Sequence, residues 1–132
     1  GTIRAPHYRG GGAVFGPHPR DYSFKVNGKE VKLALRSALS AKQAEGALHV
    51  IESFDFEKPS TKEAVKVLQA LAIEGRVTLV LTDVDVNAFL SFRNVRRVRV
   101  LDVTDVNAYD LIDNKALLLT KAALKRIEEV LQ

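Results

Sequence analysis

The chain has 132 residues, a formal net charge of +4 and no cysteine, so disulfides, cysteine-ligated zinc and thiol nucleophiles are excluded. Its 46% hydrophobic content supplies one packed core of ordinary size. No apolar run approaches the roughly 20 residues that span a bilayer, and nothing resembles a signal peptide.

Residues 1–26 are predicted to form an extended arm ahead of a globular α/β unit over residues 27–132. Gly10, Gly11, Gly12 and Gly16, with Pro6, Pro17 and Pro19, disfavour a helix or a central strand there. The arm is cationic: Arg4, Arg9 and Arg20 precede or flank its first acid, Asp21. Through residue 36, Lys25, Lys29, Lys32 and Arg36 join them against Asp21 and Glu30, giving +5, while the remaining residues sum to −1. Basicity confined to one end is the electrostatic footprint of a polyanion partner. A solvated basic tail would need no rings, yet Ile3, Tyr8, Val14, Phe15 and Tyr22 are interleaved with the charges. Arginines, flat rings and glycines that let a backbone approach closely are what phosphate contact and base stacking on RNA require. His7 adds a further candidate contact. His7, His18 and His49 share no metal-ligand spacing, and the glycine triplet lacks the Lys-Ser/Thr of a phosphate-binding loop.

The body then alternates. Asn27 is placed to cap a helix through about Ala44, with Val31, Leu35, Ala38 and Leu39 on one face and Gly46 beyond its end. Leu48 to Phe54 reads as a strand. Ser60-Thr61-Lys62-Glu63 is a capping box opening a helix with an Ala64, Val67, Leu68, Leu71 stripe, until Gly75. Val77 to Thr82 is a continuous apolar run, the pattern of a strand buried on both faces. A short helix over Val86 to Phe92, a strand over Val98 to Val103, a short helix over Asn107 to Ile112 and a strand over Ala116 to Leu119 follow. Thr120 caps a last helix to Leu131. This order predicts a three-layer α/β sandwich with a mostly parallel central sheet.

Two chemistry-bearing patterns lie in the body. Asp85-Val86-Asn87-Ala88-Phe89 recurs as Asp105-Val106-Asn107-Ala108-Tyr109, each after a strand, which predicts two matched corners with Asp as N-cap and the ring packed on the sheet. The strand ending in Asp83-Val84-Asp85 is similar to the nucleophile motif of haloacid dehalogenase-type phosphotransferases, where one carboxylate attacks phosphorus and the next serves as acid/base beside magnesium. That pair is the competing, enzymatic reading. Asn87 stands where those enzymes have Thr or Val, and no well-separated Lys and acidic pair follows. A calcium loop on Asp83, Asp85 and Asn87 fails because Ala88 replaces the required Gly. Arg93, Arg96, Arg97 and Arg99 form a second basic cluster, with Arg97 and Arg99 on the outward face of an edge strand, either as edge protection or as RNA contacts.

Arg9-Gly10-Gly11-Gly12-Ala13-Val14-Phe15-Gly16-Pro17, with Pro19-Arg20-Asp21-Tyr22 and the segment Leu33 to Ser40, resembles the bacterial large-subunit ribosomal protein four family. Arg93-Asn94 and Asn107-Ala108-Tyr109-Asp110-Leu111 fall where that family has its Arg-Asn and Asn-Val-Tyr-Asp motifs, and the likeness runs from Gly1 to Gln132. It implies a non-catalytic protein of a cytoplasmic, bacterial or organellar-type ribosome, supporting subunit assembly and the region near the peptide exit tunnel. The partners implied are large-subunit rRNA and neighbouring ribosomal proteins, with no cofactor, metal, membrane or small-molecule substrate. The implied rRNA-binding set is Arg4, His7, Tyr8, Arg9, Gly10, Gly11, Gly12, Phe15, Arg20, Tyr22, Lys25, Lys29, Lys32 and Arg36. The match begins in the returning half of the family's long loop, and the family normally carries a further segment before it. With methionine absent and Gly1 inside predicted loop, the chain is expected to be a piece of a longer protein. Arg96 stands where Pro is common and Asp105 where Gly is common, and the region around Glu74-Gly75-Arg76 is shorter than usual.

Overall fold

The computed structural model describes residues 1–132. The apolar runs form four strands, β1 (Leu48–Ile51), β2 (Val77–Leu81), β3 (Val98–Asp102) and β4 (Ala116–Thr120). They make one sheet in the order β1-β4-β2-β3, parallel throughout. The helices are α1 (Gly28–Ala44), α2 (Thr61–Ala70), α3 (Val86–Phe92), α4 (Ala108–Ile112) and α5 (Lys121–Leu131), with a 3₁₀ turn over Val103–Asp105.

Every residue of β2 and β4 is buried, because these two central strands are covered on both faces. Val77, Leu79 and Leu118 point to one side and meet Ala64, Leu68 and Phe92 of α2 and α3. Val80, Leu117 and Leu119 point to the other and meet Ala38, Leu111, Ile127 and Leu131 of α1, α4 and α5. The result is the expected three-layer sandwich. The chain advances from β1 to β2 to β3 through α2 and α3, then returns past β2 to β4 through α4 on the opposite face. A constant right-handed crossover requires that change of face when direction reverses. All strand beginnings therefore lie at one end of the sheet and all strand ends at the other.

Two local expectations are corrected. β1 stops at Ile51, not Phe54: its sole neighbour β4 ends at Thr120, opposite Ile51, so no ladder partner exists further on. Phe54 instead turns onto the edge of the buried Phe92 ring, 5.2 Å between centroids, with Phe56 stacked beside it. The two Asp-Val-Asn-Ala corners are also not equivalent. Asn107, not Asp105, caps α4, its Oδ1 accepting from the Asp110 N–H at 2.9 Å. At α3 the Asp85 carboxylate makes no cap bond and accepts from the Thr82 hydroxyl at 2.9 Å. Asn87 donates to the Phe56 carbonyl at 2.9 Å. Phe89 and Tyr109 are exposed rather than packed on the sheet. The caps at Ser60 and Thr120 form as their sequences indicate, accepting from Glu63 N–H and Ala123 N–H. The expected box is only half made, because the Ser60 N–H donates to the Ser91 hydroxyl at 2.9 Å instead of to Glu63.

Candidate nucleic-acid interface

No helix or strand forms before Gly28, but the first residues are not an open tail. Successive backbone bonds run from Ala5 N–H to Thr2 C=O, Tyr8 to Ala5 and Gly11 to Tyr8, and Gly12 N–H to Arg4 C=O at 2.9 Å closes the loop. Glycine makes this possible. Gly10 has φ +80°, and a Cβ on Gly11 would overlap the Ala5 carbonyl oxygen. The closed loop presents Arg4, His7, Tyr8 and Arg9 to solvent, with the His7 and Tyr8 rings 4.3 Å apart.

Downstream, the rings stay uncovered. Phe15 is 94% exposed and Tyr22 lies beneath the Arg20 guanidinium, 4.0 Å from its ring centre. Asp21 accepts from the Ser23 backbone N–H and hydroxyl, both at 2.8 Å. Those bonds, the backbone one foremost, hold its carboxyl below the usual range. The one acid among the arm's bases is thus turned onto its own chain. Phe24, 83% exposed, and Val26 extend the apolar surface. They carry no charge and belong to no motif, so the sequence does not single them out. Yet Tyr22, Phe24 and Val26 alternate with polar residues and are all exposed.

Lys25 leads into α1, where Lys29, Lys32 and Arg36 at i, i+3 and i+7 fall on one helical face. Lys29 and Lys32 are exposed, as are Val31 and Leu33, and the first fully buried residue of α1 is Ala38. The first turns of the helix therefore stand clear of the core. Arg36 differs: its guanidinium donates to the Leu131 and Gln132 carbonyls at the end of α5. It ties the helix to the domain and leaves fewer donors for an outside partner.

The Asp-x-Asp corner sits where β2 and β3 end, at a cleft of about 240 Å³ lined by Asp83, Asp85, Asp102 and Asp105. Three of its carboxylates are occupied internally. Asp85 holds Thr82, Asp83 lies 3.9 Å from Arg126, and Asp102 accepts from the Thr104 hydroxyl at 2.6 Å. That last bond holds the Asp102 carboxyl below the usual range. No three His, Asp or Glu side chains converge as a metal-holding group. His18 is exposed and His49 is half-buried in β1.

The second arginine cluster is at the other end of the sheet. β3 is an edge strand, in keeping with its arginines. Arg99 Nε lies 3.0 Å from Asp110 Oδ1, a carboxylate only 3% exposed that also accepts from Asn107 Nδ2 at 2.8 Å. Burial of that acid is tolerated because charged and neutral donors both reach it.

Fold and interface together define an α/β domain with an exposed, cationic, ring-bearing appendage. The chain belongs to the ribosomal protein L4/L1 family, whose model matches residues 1–130. It is 49% identical over 131 residues to large ribosomal subunit protein uL4 of Staphylococcus carnosus (strain TM300), across 99% of this chain and 63% of that relative. The chain thus spans just under two thirds of the relative's length. Membership decides between the two sequence readings: this is a ribosomal protein, not a phosphatase built on Asp83 and Asp85.

Proposed function

We propose that the chain is a structural rRNA-binding protein of the large ribosomal subunit, held by residues 1–36 and supporting subunit assembly near the peptide exit tunnel. The observation that carries this reading is the set of uncovered rings beside uncompensated arginines, foremost Phe15 at 94% exposure. Leaving such surface in water is unfavourable unless a partner covers it. Arg4, Arg9, Arg20, Lys25, Lys29 and Lys32 contact phosphates. Tyr8, Phe15 and Tyr22 stack or wedge into folded RNA, His7 adds a polar contact, and Gly10 to Gly12 let the closed loop sit against the backbone. Arg36 serves chiefly to orient α1. Neighbouring ribosomal proteins complete the surroundings in a cytoplasmic ribosome.

Titration against a large-subunit rRNA fragment over a salt series tests the arm. Deleting residues 1–22 removes three arginines, so binding weakens and the log–log salt slope flattens by about two to three units. Unchanged affinity and slope would refute the arm's role.

A further inference from the structure

Arg93, Arg96, Arg97 and Arg99 have no part in the arm, and the fold adds a residue to them. The register Val77↔Val98 sets the start of β2 beside the start of β3, which brings Arg76 to the same place. Arg76, Arg96, Arg97 and Arg99 line a cleft of about 130 Å³ with Asp110 and Asp113. We propose that this cleft is a second RNA phosphate-binding surface, used together with the arm; the proposal rests on the reading that the partner is rRNA.

Three features carry it. First, the charge is in excess: four arginines face two carboxylates, and no ion pair involves Arg93, Arg96 or Arg97. Second, two of the guanidiniums are fixed in place. Asp110 holds Arg99 through Nε, and Asp113 holds Arg76 through one terminal nitrogen at 2.8 Å, so each keeps free donors. Both side chains remain largely exposed, at 61% and 71%. A planar fork oriented in advance loses less entropy on meeting a phosphate. Third, the cleft has just two apolar lining residues, Val77 and Val98, so it lacks the apolar centre of a protein-docking surface.

Edge protection alone does not explain the arrangement. A charge on β3 needs only Arg99, whereas Arg76 and Arg96 lie outside that strand. The opposite end of the sheet carries Asp83, Asp85, Asp102 and Asp105. The arginine cleft, at the strand beginnings, is therefore set apart from these carboxylates at the strand ends.

The test uses the full chain and transcribed large-subunit rRNA in a salt series. Arg96 and Arg97 are unpaired, so R96Q/R97Q removes charge without breaking an ion pair. Its expected effect is about tenfold weaker binding near 0.1 M salt and a slope shallower by about one unit for each phosphate no longer neutralised. The single variant R96Q gives an intermediate loss, which guards against a folding defect at the half-buried Arg97. The control K62Q/K66Q removes the same charge from exposed positions on α2 and changes affinity less than about twofold. If R96Q/R97Q matches that control, the second surface is refuted. If R4Q/R9Q binds like the unaltered chain, the arm reading falls instead, so the two failures are separable.

Discussion

Phenylalanine has opposite fates in the two halves of this molecule. Phe92 is completely enclosed between α3 and the sheet, with Phe54 and Phe56 against its edge, whereas Phe15 and Phe24 stand in solvent. The rings are chemically identical, so the difference lies in what the backbone can build around them. Strand-helix alternation supplies two surfaces that close on a ring; a glycine- and proline-rich segment supplies none. Apolar content measures how much surface seeks cover, not whether the chain itself provides it.

The contrast breaks most sharply by truncating one ring on each side. Phe92→Ala is expected to cost about 3–5 kcal/mol in urea unfolding. Phe15→Ala is expected to change stability by less than about 0.5 kcal/mol while weakening RNA binding by about 1–3 kcal/mol. A destabilised Phe15→Ala would mean that the arm packs on its own domain.

A smaller effect separates shape from charge within the arm. Gly11→Ala forces the loop open at Ala5, removing amide-exchange protection at Gly12 and weakening RNA binding by about 1 kcal/mol as the closing bond breaks. The urea midpoint stays where it was. Retained protection at Gly12 would show that the loop admits a side chain after all.

The smallest effect is in pH. Asp102 is held below the ordinary carboxylate value chiefly by the Thr104 hydroxyl. A depressed folded-state pKa contributes stability that is present above the unfolded value and lost as pH falls through the folded one. Thr104→Val therefore lowers stability at neutral pH, where the contribution is fully present, and flattens the acid limb, so that the two profiles converge at low pH. Asp21 is depressed likewise, but by Ser23 within the arm, so Ser23→Ala leaves the unfolding profile unaffected at every pH. A shift of the acid limb in Ser23→Ala would erase the distinction between the two halves.

Much of the domain is legible in the sequence because local signals agree. The Ser60 cap, the Thr120 cap and the run Val77 to Thr82 each specify an element through residues close in sequence. What escapes depends on partners distant in sequence. The end of β1 is set by the length of β4, and the convergence of Arg76 with Arg96 to Arg99 is set by the β2–β3 register. Arg36 reads as a surface cation until α5 brings its terminal carbonyls over it. The repeated corner misleads for a related reason: a 3₁₀ turn over Val103–Asp105, capped by Asp102, precedes Asn107, whereas before Asn87 the chain makes a single turn closed by the Asp85 N–H on the Thr82 carbonyl. The arm's chemistry is readable from residue types alone, whereas its closed loop depends on the Gly12-to-Arg4 bond, which no periodicity announces.

β4, the last strand in the chain, occupies an interior position between β1 and β2. Leu48 must wait for Leu117 before it has a neighbour, so during synthesis β1 emerges long before anything can pair with it. Sheet closure is then a single late event, and a nascent chain halted short of Thr120 carries an unpaired strand open to association with other chains. The arm has no such delay. Its arginines and rings leave the synthesising ribosome ahead of the domain and need none of the later strands to form their loop, so the RNA capture proposed above does not have to await completion of the sheet.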